Sequence, residues 1–204
     1  MLQTEYPMKH SHVEMVENDQ IKLMIAPINT PLGVMIAGAT AEGLCLLEFE
    51  DQPGLQAKIN DLKRLLNVRF LEGKNPHIIQ AEEELKEYFE GIRQQFHVSL
   101  ISPGTDFQMK VWDNLKGIPY GVTISYEQQS ENIGNPAAIR AIAHANGCNR
   151  ISIIIPCHRV IGKNKKLTGY SGGIERKRWL LLHENKYSTV LPFPTHNQLT
   201  ISRW

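Results

Sequence analysis

Residues 151–161 read Ile-Ser-Ile-Ile-Ile-Pro-Cys-His-Arg-Val-Ile. No other stretch constrains the chain as strongly. The β-branched apolar run Ile151 to Ile155 suits a buried strand. Pro156 has no N–H and must end that strand's ladder. Cys157 is then held on a stiff backbone with the basic ring of His158 beside it, which suits a nucleophile whose pKa has been lowered. Other readings stand beside this one. A free cysteine is often just a small buried hydrophobe. A Cys-His pair can also be half of a metal site, but closed zinc sites want four ligands. The remaining cysteines, Cys45 and Cys148, offer no short Cys-x-x-Cys spacing, so no metal is expected. Neighbours on an extended segment point to opposite sides, so His158 is expected to reach the thiol through a water. These residues favour a reactive cysteine without naming its reaction.

The 204 residues allow one large domain or two small ones. Hydrophobic content of 42% and charged content of 21% are those of an ordinary globular protein. No 7–15-residue apolar region follows the N-terminus, so no signal peptide is expected. No apolar run approaches the roughly 18–20 residues of a membrane helix. Three cysteines give no disulfide framework, which points to a reducing, cytoplasmic interior (nuclear in a eukaryote). The net charge of +1 hides an asymmetry. Residues 1–100 carry nine basic and fifteen acidic side chains; residues 101–204 carry thirteen basic and six acidic. A basic half is what binding to a phosphate backbone requires, although a solvated basic face gives the same count.

The periodicity divides the chain. Ile21–Pro27, Gly33–Ala39 and Leu44–Glu50 read as short strands, with turns at Asn29–Gly33 and Ala41–Gly43. Ala57–Leu66 and Ala81–Phe89 read as helices, and Phe96–Leu100 as one more strand. No catalytic constellation is visible in this half, and His10, His12 and His77 are expected at the surface. Ser102-Pro103-Gly104 reads as a linker, which sets domains of 1–101 and 102–204, with residues 186–204 a tail of unknown role. Thr105-x-x-Gln108 and Ser125-x-x-Gln128 are capping boxes that open two helices. Asn135 suits a helix cap and Pro136 a first helical position, starting a helix to about Ala145 with Gly147 as its stop. The pair across Gly134-Asn135 is a helix-turn-helix candidate, or an ordinary helical hairpin. Its second helix is small-faced at Ala137, Ala138, Ala141 and Ala143, which allows close approach to a groove; Arg140 and His144 stand out from it. A last helix, Ile174 to about His183, should expose Arg176, Lys177 and Arg178 and bury Trp179, Leu180 and Leu182.

At this point several segments agree in order and spacing with one family. They are Phe107-Gln108-x-x-Val111-Trp112, Ile118-Pro119-x-Gly121, Ser125-Tyr126, Gly134-Asn135-Pro136, Arg140-Ala141, Pro156-Cys157-His158-Arg159-Val160 and Gly169-Tyr170-Ser171-Gly172-Gly173. The stretch Phe107–Glu184 resembles the O6-alkylguanine-DNA alkyltransferases. The N-terminal half fits only by size and texture.

The resemblance implies an α+β protein: an N-terminal ribonuclease-H-like α/β domain and a C-terminal helical domain with a winged helix-turn-helix. It implies a monomer that binds double-stranded DNA carrying O6-alkylguanine, flips the base out, and moves the alkyl group irreversibly onto its own cysteine without a cofactor. Transfer from O4-alkylthymine is a further possibility it leaves open. Cys157 is then the acceptor, His158 the base acting through a water, and Glu184 the carboxylate that orients it. Tyr126 donates toward the departing guanine, and Asn149 is the hinge asparagine before the active-site segment. Tyr170 and Ser171 wall the base pocket. Arg140 is the finger filling the vacated stack, and Ser125, Pro136, Ala137, Ala138 and Arg159 complete the DNA and base contacts. Read without the family, Tyr126 is equally a packed aromatic, Glu184 a solvated carboxylate at a helix end, and Arg140 a phosphate contact.

Two departures matter. Gln129-Ser130 replaces the family's Leu-Ala, which predicts looser packing of that helix. Asn149-Arg150 replaces Asn-Pro, which predicts a looser hinge. Two rival functions remain: a lesion-binding relative that lacks the cysteine, disfavoured by Cys157, and a cysteine hydrolase of another fold, which leaves the helix-turn-helix and the basic half unexplained.

Overall fold

The computed structural model describes residues 20–189 and 200–201. The expectations for His10, His12 and most of the tail fall outside them. The chain is α+β, as expected. Strands β1 (Ile21–Thr30), β2 (Gly33–Ala39) and β3 (Leu44–Phe49) form an antiparallel meander, and β4 (Val68–Glu72) adds parallel to β1. The β1–β2 turn needs Gly33, whose φ of 114° is open only to glycine. Strand β1 runs three residues past Pro27. The proline is tolerated because β4 stops pairing at Ile25 and leaves that side of β1 open. Sequence reading passed over β4, a short strand that follows helix α1 (Leu55–Leu66) directly across Asn67, which adopts the left-handed cap conformation. Residues 96–100 form no strand: one bridge from Leu44 to Leu100 is the whole ladder.

Helix α1 covers one sheet face through Leu62, packed on Leu23, Leu46 and Val68. Helix α2 (Pro76–Phe89) covers the other, and opens five residues earlier than expected because Asn75 caps it, accepting from Ile78 N at 3.0 Å, with Pro76 in the first turn. This second face is shared with the C-terminal half. Ile28, Leu47, Tyr88, Trp112, Ile155 and Leu180 belong to one apolar cluster, so the core runs on across residue 101. Residues 101–105 carry no helix or strand.

The C-terminal half is helical. Both capping boxes form: Thr105 starts α3 (Asp106–Lys116) and Ser125 starts α4 (Tyr126–Asn132). Gly134, at φ 76°, turns the chain into a short 3-10 segment (Pro136–Ala138) and α5 (Ile139–Gly147). Asn135 holds the cap position, but its side chain makes no capping bond. Helix α6 (Ile174–Tyr187) outruns its expected end by a full turn. Small parallel pairs join β5 (Ile124–Ser125) to β6 (Val160–Ile161) and β7 (Lys166–Leu167) to β8 (Thr200–Ile201). Among the described residues, no helix is long and apolar enough to cross a membrane.

Three further expectations are corrected. Ile151–Ile155 is buried but is no strand. It touches β3 through one bridge, Ile151 to Leu47, then coils, with Ile154 N bonded to Ser152 O at 2.9 Å and Ile155 N to Ile151 O at 3.0 Å. Ile153 sits at φ 71°, a strained conformation for a β-branched residue. Burial between the two halves overrides β propensity here. Lys177 is buried, while Trp179 is 36% exposed. The substitution Gln129-Ser130 does not loosen α4. Gln129 and Asn146 of α5 exchange amide hydrogen bonds at 2.8 and 3.3 Å, so the polar pair is satisfied inside the core.

Candidate active site

Pro156 has no N–H to offer, and the chain turns there into a short 3-10 segment, Cys157–Arg159. This points the site differently from an extended strand. Cys157 is 6% exposed and borders a pocket of about 310 Å³, shared with Tyr126, Ala143, Gly147, Tyr170 and Ser171. Asn149 Nδ2 donates to the Cys157 sulfur at 3.4 Å and to Ile155 O at 2.9 Å, while its Oδ1 accepts from Ile151 N at 3.0 Å. The asparagine therefore ties the hinge backbone to the thiol. The hinge is not loose: Arg150 is buried, donates to Pro103 O at 2.7 Å and Asp61 at 3.2 Å, and lies over the Trp112 ring. Where Pro would stiffen the backbone directly, Arg150 fixes it by contacts.

The expected lowering of the thiol's pKa is corrected. Burial pushes Cys157 up, and the Asn149 hydrogen bond offsets only part of that. The resting group is a neutral thiol that needs a base. His158 is fully buried, and Nε2 lies 2.8 Å from Glu184 Oε1. A carboxylate accepts only, so Nε2 carries the proton and Nδ1 presents its lone pair. That Nδ1 has no hydrogen-bond partner among the described residues. Burial also pushes the His158 pKa down, so the ring is a neutral base at physiological pH.

Glu184 is the most heavily bonded group in the site. Its oxygens accept from His158, from Tyr88 Oη at 2.9 Å, from Gly121 N at 3.1 Å, and from Arg159 Nε and Nη2 at 2.9 and 3.0 Å. Burial alone would raise its pKa, but His158 and Arg159 outweigh that and hold the carboxyl well below the usual range. Arg159 is a correction to the sequence reading. It is 6% exposed, and its guanidinium is committed to Glu184 and to Ile118 O at 2.6 Å. It completes the carboxylate's shell instead.

Tyr126 is half-buried beside the pocket, and burial pushes its pKa up to about 12, so it stays a phenol able to donate. Ser171 Oγ is buried without a hydrogen-bond partner among the described residues, and Tyr170, whose phenol meets Ser152, shares the wall of the same pocket. Pro136, Ala137, Arg140, Ala141 and His144 lie exposed along one side of the helix-turn-helix, with Ala138 half-buried. The same helix supplies Ala143 and Gly147 to the pocket, so the small-residue face and the thiol share one opening. Ser125 is half-buried, and its hydroxyl accepts from Gln128 N at 3.0 Å as the α4 cap. Among the described residues, no group of three or more His, Cys, Asp or Glu side chains could hold a metal ion.

Sequence reading missed four residues around this site. Lys177 Nζ donates to Val160 O at 2.6 Å, Thr168 O at 2.7 Å and Gly169 O at 3.2 Å, pinning the pocket loop, and burial lowers its pKa to about 8. Its signal was present: Lys177, Leu180, Leu181 and Glu184 form an i, i+3, i+4, i+7 stripe, the inward face of α6. Tyr88, Glu48 and Lys58 come from the N-terminal half and carry no local signal.

Comparisons with known proteins place this geometry. Residues 106–186 match the 6-O-methylguanine DNA methyltransferase DNA-binding domain. The methylated-DNA–protein-cysteine methyltransferase of Methanosarcina acetivorans is 43% identical over an alignment of 145 positions that covers 65% of this chain and 93% of the relative. The protein of that name from Shigella flexneri is 38% identical over 80% of this chain and 96% of its own. Among solved structures, Mycobacterium tuberculosis OGT in complex with DNA superposes with a TM-score of 0.70 at 38% identity, covering 82% of this chain and 95% of that one. With near-complete relatives at this identity, and with fold and helix-turn-helix in agreement, the chain belongs to the methylated-DNA–protein-cysteine methyltransferase family.

Proposed function

We propose that this protein repairs DNA by moving an alkyl group from O6 of a flipped guanine onto Cys157. The observation that carries the reading is the buried, unpartnered Nδ1 of His158, one residue from a buried neutral thiol, with Nε2 anchored on an ionised carboxylate. The thiol proton passes through a water to Nδ1. The imidazolium that forms is stabilised by Glu184. The sulfur attacks the alkyl carbon in line with its bond to O6; the S–C bond forms as the C–O6 bond breaks. The electron pair leaves on the base, whose developing charge accepts a hydrogen bond from the Tyr126 phenol, and the proton that His158 took from the thiol leaves with the base through solvent. A thioether has no thiolate to regenerate, so each molecule reacts once. The alkyl group lies inside the DNA stack, which makes extrusion of the base necessary. The pocket walled by Tyr170 and Ser171, where the Ser171 hydroxyl has no hydrogen-bond partner among the described residues, suits a planar polar base. Incubation with a duplex containing O6-methylguanine should add one methyl group to the Cys157 peptide in mass spectra. No adduct, or an adduct confined to Cys45 or Cys148, overturns the reading.

Binding should depend weakly on sequence, because the exposed helix face is alanine-rich and has few base-reading side chains. Affinity for undamaged duplex is expected to fall steeply with salt, as counterions are released by the basic half. Salt-insensitive binding in a titration by fluorescence anisotropy contradicts this.

Arg140 opens α5 on the exposed face, where it can fill the space left by the base. Unstacking costs a few kcal/mol, and each ~1.4 kcal/mol is a tenfold change in population. Arg140→Ala should slow repair of duplex DNA by at least about tenfold and leave reaction with free O6-benzylguanine nearly unchanged. Equal losses in single-turnover rates on both substrates count against the finger.

A further inference from the structure

Besides Tyr88, the N-terminal half reaches toward the active site through a buried carboxylate. Glu48 lies on β3 and is fully buried. One of its oxygens accepts from Lys58 Nζ at 2.5 Å and from Gln52 Nε2 at 2.9 Å; the other accepts from the Ser152 hydroxyl. Lys58, on α1, donates a second bond to the Asn149 carbonyl. The two oxygens of Glu48 thus hold both ends of the 149–152 turn, one through Lys58 and one directly. Backbone bonds add to the grip: Leu47 N donates to Arg150 O and Ser152 N donates to Leu47 O, both at 2.8 Å. Immediately beyond lies Ile153 in its left-handed conformation, which persists only where the surroundings over-determine it.

A buried ion pair is a poor device for stability alone, because its desolvation is often not repaid and apolar replacements serve as well. What this pair does hold is the residue whose side chain donates to the Cys157 sulfur. We propose that the Glu48–Lys58 pair is a positioning device for alkyl transfer: it fixes the turn so that the Asn149 amide stays on the sulfur. The proposal rests on the reading of Cys157 as the acceptor.

The test uses Glu48→Gln/Lys58→Met, which removes both charges together, and Ser152→Ala, which removes the hydroxyl anchor on Glu48 along with its contact to Tyr170. Single-turnover rates with free O6-benzylguanine should fall at least about tenfold in the double variant and several-fold in Ser152→Ala. Affinity for duplex DNA should stay within about twofold of wild type. Alkylation of Cys157 by iodoacetamide, followed against pH, gives a readout that a merely structural role does not move. The charged and titratable groups around the sulfur are Glu48 from β3, Lys58 from α1, Tyr126 from α4, His158, Tyr170 from the pocket loop and Lys177 from α6. Glu48 raises the thiol's pKa and Lys58 lowers it, so removing both largely cancels by charge. Losing the Asn149 bond does not cancel, and the alkylation midpoint should move to higher pH. Adding Asn149→Ala to the double variant should slow transfer little further. Wild-type rate and midpoint in a folded Ser152→Ala overturn the proposal even if the double variant fails to fold, as does full additivity with Asn149→Ala in a folded double variant. Failure of wild type to alkylate at Cys157 overturns the underlying reading instead.

Discussion

Cys157→Ser should bring alkyl transfer to the limit of detection while leaving affinity for duplex DNA within about twofold of wild type. Oxygen replaces sulfur with almost no change of shape, so the pocket and the exposed face of α5 are preserved. The chemistry is not. The thiol is already pushed up by burial and depends on a neutral imidazole to lose its proton. A hydroxyl is far less acidic still, and its oxygen is a harder nucleophile for an sp³ carbon. Removal of a covalent nucleophile costs roughly 10⁴-fold or more in other enzymes, and single-turnover quench experiments have the range to see it. Cys45 does not substitute: its sulfur donates to Gly38 O at 3.4 Å, and burial pushes its pKa up to about 12. Cys148 lies outside the pocket lining, 3.6 Å from His144 Nε2. Transfer surviving in Cys157→Ser, or lost in Cys148→Ser, contradicts the assignment.

The base should show an equally plain signature. His158→Ala is expected to slow both the duplex and free O6-benzylguanine by about 10²–10⁴-fold, the usual range for a general base, because both substrates need the thiolate. It should fold, since the Glu184–Arg159 pair stays intact. Glu184→Gln should slow both substrates too, but with a second effect. It leaves the buried Arg159 guanidinium without its carboxylate, which costs roughly 3–5 kcal/mol of stability. The pH dependence distinguishes the two. Glu184 has a folded pKa held below its ordinary 4.5, so its contribution is complete above that value and is lost as pH falls. Thermal melts from pH 7 to pH 3 should show this acid loss in wild type and in His158→Ala, and a flatter profile in Glu184→Gln. An acid profile unchanged in Glu184→Gln sinks this account of the carboxylate. Transfer from free O6-benzylguanine at the wild-type rate in His158→Ala sinks the base.

Sequence alone determined whatever depends on near neighbours along the chain. The capping boxes at Thr105 and Ser125 and the glycine turn at Gly134 are local preferences of backbone and side chain, and each operates as read. The reactive thiol was legible from its flanking proline and histidine, while the carboxylate and the hinge asparagine came only with the family resemblance; the structure brings His158 and Glu184 together and Asn149 onto the sulfur. Tertiary structure decided what depends on burial and on distant partners. Ile151–Ile155 has a strand's composition, yet it becomes a coiled plug, because fitting between two halves outweighs β propensity. Arg159 and Lys177 look like surface cations in sequence, but each finds buried acceptors, and a charge goes inside where enough partners replace its water. The direction of the thiol's pKa followed the same rule: the adjacent basic ring suggested lowering, and desolvation pushed it up. Glu48, Lys58 and Tyr88 lie between 69 and 109 residues before Cys157 and carry no motif. Only the packing of one half on the other brings them to the site, because a hydrogen bond depends on distance in space and not on separation along the chain.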